Sequence, residues 1–283
     1  MGINGGRGIV GSGSVLGGSG ISLAGGGNDP DAQAFIDAAG ITGETQQLAL
    51  NQLVLDLKGT GSTTNNTDVW SKIYAAYPFC PIDDVTANAA CYKWNLKDSR
   101  DLDAAFRLTF TNTPVYSLLL GLEQNASANG YANTYFIESA NMTAGNNGIT
   151  ASLSRASTGF NKYLVGSASG AIFAHRNSNT YGVWSASQII NTILANNIFT
   201  SSRLSATDYS LYTNGVFTAN NNASSATQNI YSCYILAQNW AGTAGNFFEG
   251  GATDFIALHD GLTANESRDI YDAIAAYKTA LGR

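Results

Sequence analysis

The 283 residues predict a mostly β chain: an antiparallel sandwich preceded by short helices and closed by a C-terminal helix. Three observations predict it. The long middle of the chain breaks into short runs of alternating or β-branched residues separated by Gly, Asn and Ser at roughly ten-residue intervals. Helical spacing of apolar residues is confined to the two flanks. Charged residues are only 12% of the chain, below the roughly 25% of ordinary soluble domains, while glycines number 31 and prolines 4. That is a composition of turns and polar loops on a rigid scaffold, and the length is sufficient for one large domain with appendages.

The chain opens MGINGGRGIVGSGSVLGGSGISLAGGG, with Gly at 12 of 27 positions and Arg7 as its one charged side chain. Its apolar residues are scattered between glycines, so no continuous apolar centre of a secretory signal is present. Two readings of residues 1–28 stand side by side. One is a flexible linker or tail. The other is an anchoring segment in which the apolar pairs Ile9, Val10 and Val15, Leu16 become ordered on another chain, with Gly allowing close approach.

Residues 29–79 read as a short helical region. Asn28 and Asp29 stand before Pro30, a residue suited to a first helical turn, and Gly40 ends the stretch, which predicts a helix over 30–39. Thr42 and Glu44 lead into TQQLALNQLVLDLK, where Leu48, Leu50, Leu53, Val54 and Leu57 form an apolar face and Gly59 stops it. Asp68 then caps VWSKIYAAY, with Trp70, Ile73, Tyr74 and Tyr77 at helical spacing before Pro78, which predicts a third helix.

The sandwich is expected over 80–283. AFRLTFT places Phe106, Leu108 and Phe110 on one face of a first strand. The runs VYSLLLGL, NTYFIES, ITASLSR, KYLVG, AIFAHR, YGVW, IFTSSRL, DYSLYT, GVFTA, IYSCYILAQ and DFIALHD supply further strands. In LYTNGVF, Asn214 and Gly215 provide the positive φ pair of a tight type I′ hairpin turn. Thr263 and Glu266 form a capping box for a helix over 264–280, with Ile270, Ala273, Ile274, Tyr277 and Leu281 on one stripe.

Composition excludes some functions. A net charge of -6 offers nucleic acid no basic footprint. No apolar run is long enough to span a membrane. Cys80, Cys91 and Cys233, with His175 and His259 far apart, form neither a zinc pattern nor a disulfide framework. Cys80 and Cys91 face each other if they share a hairpin; free thiols buried as small hydrophobes in a reducing cytoplasm are the favoured reading.

Catalytic patterns are weak. Asp98, Asp101 and Asp103 have the oxygen chemistry for calcium, but the central Gly and terminal Glu of an EF-type loop are missing. The reading preferred is ion pairing with Lys97, Arg100 and Arg107, so no metal and no cofactor is expected. Glycosidases need two carboxylates close together, whereas Glu123, Glu138 and Glu249 are isolated and read as solvated groups. No Gly-x-Ser-x-Gly elbow occurs, and His175 and His259 read as structural. The expectation is a protein that is not an enzyme.

Aromatic residues are the remaining handle. Tyr181, Trp184, Trp240, Phe247 and Phe248 lie in or beside Gly/Asn-rich segments. Rings beside amides stack on sugar faces, so Trp184, Trp240 and Phe247 are candidate glycan-binding residues. The competing and commoner reading is that these rings fill a core or a subunit interface.

Five pieces together carry a resemblance: WSKIYAAYPF, WNLKDSRDLDAAFRLTF, SANGYANTYFIES, LYTNGVF and the ending DGLTANESRDIYDAIAAYKTALGR. Over residues 29–283 the chain resembles a group of tailed-bacteriophage virion proteins that carry a concanavalin-like or laminin-G-like jelly-roll module behind a short helical region. The resemblance implies a tail-fibre, head-fibre or other surface protein located on the virion. Residues 1–28 are not part of the resembling pattern; that they hold the chain to other virion proteins, and that the sandwich serves host attachment through a surface glycan or protein, are expectations set beside it. A fibre repeats its subunit about an axis, so a homo-oligomer is expected, with a trimer favoured. A non-viral lectin-like domain or glycan hydrolase on the same fold is the alternative.

Overall fold

A computed structural model describes residues 27–79, 89–125, 127–157, 162–167, 171–176, 180–182, 188–189, 195–221 and 228–283. Along the chain come α1 (Pro30–Ala39), α2 (Glu44–Leu57), β1 (Ile73–Tyr77), α3 (Ala89–Tyr92), β2 (Thr109–Thr111), β3 (Val115–Ser117), β4 (Gly121–Glu123), β5 (Tyr131–Ile137), α4 (Glu138–Asn141) and β6 (Asn147–Arg155). There follow β7 (Lys162–Gly166), β8 (Ala171–Arg176), β9 (Thr180–Gly182), β10 (Gln188–Ile189), β11 (Ile198–Ser205), β12 (Asp208–Thr213) and β13 (Val216–Asn221). The chain then forms β14 (Ser232–Ile235), β15 (Gln238–Trp240), β16 (Thr243–Gly245), β17 (Ala252–His259) and α5 (Ala264–Ala280).

The strands form two sheets. The first has the order β13-β12-β11-β6-β17-β4-β3, with β1 added on β17; the second has the order β10-β9-β8-β7-β14-β5-β2, with the β15–β16 hairpin attached to β7. Pairing is antiparallel except at the β15–β7 junction and the isolated bridge between Tyr163 and Phe247. The mostly β sandwich with a C-terminal helix is the fold the sequence predicts.

Three layers follow from which faces are apolar. Between the sheets lies a core containing Tyr77, Phe136, Ile149, Leu153, Phe199, Ile235, Phe248 and Ile256. The other face of the first sheet packs Phe255, Ala257, Ile198, Ile73 and Ala76 against Phe35, Leu50, Leu53, Val54, Ile270, Ile274 and Tyr277 of α1, α2 and α5. Strand β17 is therefore buried on both faces along its whole length.

Helix ends obey local rules. The Asp29 carboxylate accepts from Asp31 N at 3.0 Å, and Gly40 adopts φ 68 at the end of α1. Lys58 at the end of α2 reaches back to Asp29 and Asp31, both at 2.7 Å, and Asp29 N donates to Asn51 Oδ1 at 2.6 Å. The start of the described chain is thus tied into the helical layer. Thr263 and Glu266 make the capping box of α5. Across α5, Lys278 Nζ lies 2.9 Å from Asp254 Oδ2 and donates to Ser152 Oγ at 2.9 Å, a buried ion pair between helix and sheet.

Two expected elements take a different form. The third helix is replaced by a 3₁₀ turn at Trp70–Lys72 followed by strand β1 on the edge of β17. Its residues divide between layers, Ala75 and Tyr77 in the inter-sheet core and Ile73 and Ala76 under the helices. A strand buried on both faces shows no alternation, and its apolar spacing passes for helical. The first expected strand over AFRLTFT is a 3₁₀ turn at Asp103–Ala105, then Phe106 at φ 57, and only Thr109–Thr111 pairs with β5.

Asn95, within WNLKD, explains how that segment joins helices to sheet. Fully buried, its side chain accepts from Ala76 N at 2.9 Å and Lys97 N at 3.0 Å, and donates to Ala105 O at 2.9 Å. The hairpin turn is as read: Asn214 has φ 51, Gly215 φ 72, and Thr213 pairs with Val216.

Candidate functional site

Strand β5 places alternate side chains on opposite faces of the second sheet. Ala132 and Phe136 enter the core, whereas Tyr131, Asn133, Tyr135 and Ile137 are half-buried on the outer face. Asn133 is flanked by Thr109 of β2 and Tyr234 of β14 in register, and Tyr131 by Thr111. The Tyr131 ring stacks on Tyr234 with centroids 4.8 Å apart and a 27° interplanar angle, and lies 6.2 Å from Phe247. Burial, then the neighbouring phenols of Tyr131 and Tyr135, push the Tyr234 pKa up.

Polar atoms in this surface are held in fixed directions. Asn133 Oδ1 accepts from Tyr135 N at 2.9 Å, which turns the amide nitrogen away from that bond. The Tyr135 hydroxyl donates to Thr109 Oγ1 at 2.9 Å, and the Arg107 guanidinium lies 5.9 Å over the Tyr135 ring. An array of aromatic faces with interleaved amide and hydroxyl groups suits the apolar C–H faces and peripheral hydroxyls of a pyranose.

Of the aromatic residues chosen from sequence, Phe247 belongs to this surface. Trp240 is 63% exposed on the β15–β16 hairpin, whose turn uses Ala241 at φ 51 and Gly242 at φ 96. Asn239 Oδ1 accepts from Gly242 N at 2.7 Å and braces that tip. Trp184 and the anchoring residues Ile9, Val10, Val15 and Leu16 lie outside the described residues, as does Cys80. Phe248 is fully buried in the inter-sheet core, the placement favoured for these rings. Sequence reasoning missed Tyr131, Tyr135 and Tyr234, although the spacing Tyr-x-Asn-x-Tyr in GYANTYFI was a period-two signal for one shared face.

The isolated carboxylates are engaged by neighbours. Glu123 lies 2.6 Å from Arg155 and Glu249 2.6 Å from Lys162. Glu138 corrects the expectation of a solvated group: it is 4% exposed and accepts from Asn229 N at 3.2 Å. Burial raises its pKa from 4.5 to about 7. His259 is structural, as expected; it is fully buried at the end of β17, with Nε2 3.0 Å from Thr150 Oγ1 and Nδ1 2.6 Å from Asp260 O. Burial lowers its pKa from 6.5 to about 4. Cys233 is a buried reduced thiol whose pKa burial pushes up.

The acidic group at 98–103 makes ion pairs. Asp98 accepts from Arg100 Nε at 2.7 Å, Asp101 lies 2.7 Å from Lys93, and Asp103 lies 2.8 Å from Arg107. The bonds from Arg100 and Lys93 hold the Asp98 and Asp101 carboxyls below the usual range. Lys97, expected among these partners, instead donates to Trp70 O at 2.8 Å and lies 4.5 Å over its ring. Among the described residues no cluster of His, Cys, Asp and Glu is arranged to hold a metal ion. No described helix is long and apolar enough to cross a membrane.

No family model matches the chain, and no curated protein matches it. Solved structures are similar at low identity. The binding domain of botulinum neurotoxin serotype D matches with 10% identity and a TM-score of 0.46, over 73% of this chain and 53% of that one. Trypanosoma rangeli sialidase in complex with 2,3-difluorosialic acid matches with 10% identity and a TM-score of 0.43, over 59% of this chain and 30% of that one. NanB sialidase from Streptococcus pneumoniae matches with 15% identity and a TM-score of 0.34, over 45% of this chain and 25% of that one. The chain spans a third or less of either sialidase, and such low scores do not bear on what it binds.

Proposed function

We propose that this chain is a surface or fibre protein of a bacteriophage virion, anchored through its N-terminal segment and displaying the sandwich for attachment to a host-surface glycan. The observation that carries this reading is the polarity of the three layers. Residues 29–58 are locked into the helical layer on one side of the first sheet. The tyrosine-rich face of the second sheet lies on the opposite side of the molecule. Residues 29–58 therefore lie on the side away from the aromatic face, which suits an anchor behind and a receptor surface in front. The resemblance of residues 29–283 to tailed-phage virion proteins supports the setting.

In this reading the chain works by binding and not by bond cleavage. Glu123 and Glu249 are each held in an ion pair and Glu138 is buried against Asn229, structural engagements that support this reading. A homo-oligomer, with a trimer favoured, would repeat the aromatic face about the fibre axis and multiply weak contacts by avidity.

A lectin-like domain acting outside any particle would use the same aromatic face. The two readings separate in a particle-producing host that carries the gene with residues 1–28 deleted. Mass spectrometry of purified particles should find the full chain incorporated and the truncated chain absent, while the truncated chain keeps its circular dichroism spectrum in isolation. Equal incorporation of both, or of neither, would remove the anchoring role and leave the lectin-like reading.

A further inference from the structure

The chemistry of the aromatic face also bears on which glycans it takes, an inference that rests on the attachment reading. Its groups are rings, amides and hydroxyls: half-buried Tyr131 and Phe247 contribute rings, with Tyr234 buried beneath Tyr131 as support, while Asn133, Tyr135 and Thr109 contribute polar atoms. Tyr135 has φ 56 and β5 bulges there against β14, so Tyr131 and Tyr135 are not spaced as in a regular strand. Recognition of a carboxylate or sulfate in water requires a guanidinium or ammonium able to offer charge-assisted bonds.

Two cations described at the margins of this face, Arg107 and Lys162, are paired with carboxylates. Arg107, above the Tyr135 ring, lies 2.8 Å from Asp103 and 3.4 Å from Asp101, and Asp101 also pairs with Lys93 at 2.7 Å, so the two cations and two carboxylates balance. Lys162, at the start of the strand that bridges to Phe247, is paired with Glu249 at 2.6 Å. The whole chain carries a charge of -6. An anionic sugar would meet a neutral to negative field here and would have to displace a carboxylate to gain a cation.

We infer that the outer face of the second sheet around Tyr131, Asn133, Tyr135, Tyr234 and Phe247 binds uncharged hexose glycans and rejects glycans bearing carboxylate or sulfate. Ring stacking supplies the attraction, because pyranose C–H groups carry partial positive charge against the negative face of the aromatic ring. The Asn133 amide nitrogen and the phenol oxygens bond the equatorial hydroxyls. Specificity against anions comes from repulsion as much as from attraction to neutral rings.

The test is saturation-transfer NMR on the full chain. The probes are methyl glycosides of galactose, glucose, mannose and N-acetylglucosamine, set against those of glucuronic acid and N-acetylneuraminic acid. At least one neutral probe should take up saturation at its ring protons, and the acidic probes should not. Tyr131→Ala should weaken the neutral contact about tenfold, the equivalent of about 1.4 kcal/mol. Asn133→Arg, which removes the acceptor for Tyr135 N and is therefore checked for folding by circular dichroism, should bring acidic probes onto the face.

Saturation of acidic probes that is lost in Tyr131→Ala would overturn the inference and leave glycan attachment standing. Neutral binding that survives Tyr131→Ala at full strength in a folded protein would remove this face as the site. No saturation of any probe would overturn the inference and the attachment reading together.

Discussion

Glu138 and His259 are buried titrating groups whose effects on stability oppose each other, and single substitutions should expose both. His259 stays neutral in the fold down to about pH 4 but is protonated below 6.5 when unfolded. Between those values the unfolded state holds the extra proton, so stability rises with pH and is lost on acidification. Glu138 stays protonated in the fold up to about pH 7 but ionises above 4.5 when unfolded. There the folded state holds the extra proton, and stability falls as pH rises. Each group alone contributes about 1.4 kcal/mol per pH unit within its window, and the windows overlap between 4.5 and 6.5.

In the parent protein the two slopes cancel across that overlap. Glu138→Gln keeps an oxygen to accept the Asn229 N–H and removes the titration. Relative to the parent, its unfolding free energy should climb by about 3 kcal/mol from pH 4.5 to 6.5. His259→Gln should do the reverse over the same interval. Arg203 beside Glu138, and Lys72 and Glu266 beside His259, remain in place in both variants and drop out of the difference. Urea unfolding at pH 4.5, 5.5 and 6.5 measures these differences, and values that do not change with pH in either variant would refute the reasoning.

Other substitutions test the joints between layers. Lys278→Met leaves Asp254, 1% exposed, without its cation and should cost about 3–5 kcal/mol; adding Asp254→Leu should recover most of it, and a double variant as unstable as the single would contradict the pairing. At Gly148 an added Cβ would come 2.5 Å from both His259 Cε1 and the Ser201 carbonyl oxygen, so Gly148→Ala should lose about 1–3 kcal/mol in the same assay. Thr263→Ala removes the capping box of α5 and should lower stability by about 1 kcal/mol, with unchanged stability counting against the cap.

Much of the frame was legible because its signals are local. Pro30 and Gly40 bound α1, Asn214 and Gly215 make their turn, and Thr263 with Glu266 starts α5 where the residues placed it. The misread segments are those in which tertiary burial overrides local pattern. Ile73–Tyr77 lies between two apolar layers, so its spacing carried no strand signature. Phe106 sits in the left-handed region, a conformation that alternation in AFRLTFT cannot announce. Phe248, by contrast, fills the core as the favoured reading of these rings had it, and Gly251 has no Cβ to obstruct its ring.

The candidate site was less legible, since it is assembled from strands far apart in sequence. Tyr131 and Tyr234 meet only because β5 pairs with β14, and Phe247 reaches them only through its bridge to Tyr163. The Tyr-x-Asn-x-Tyr spacing of β5 gave one line of the surface; sheet order, which has no local marker, supplied the rest. The buried state of Glu138 was hidden for the same reason, because Asn229 reaches it across 91 residues.

The most direct test of the account is a density map of an assembled particle that contains this chain. The account predicts residues 1–28 ordered against a capsid or tail protein, the helical layer toward the particle, and Tyr131, Tyr234 and Phe247 facing outward. Residues 1–28 without order against any particle protein, or a tyrosine face buried against the particle, would contradict it.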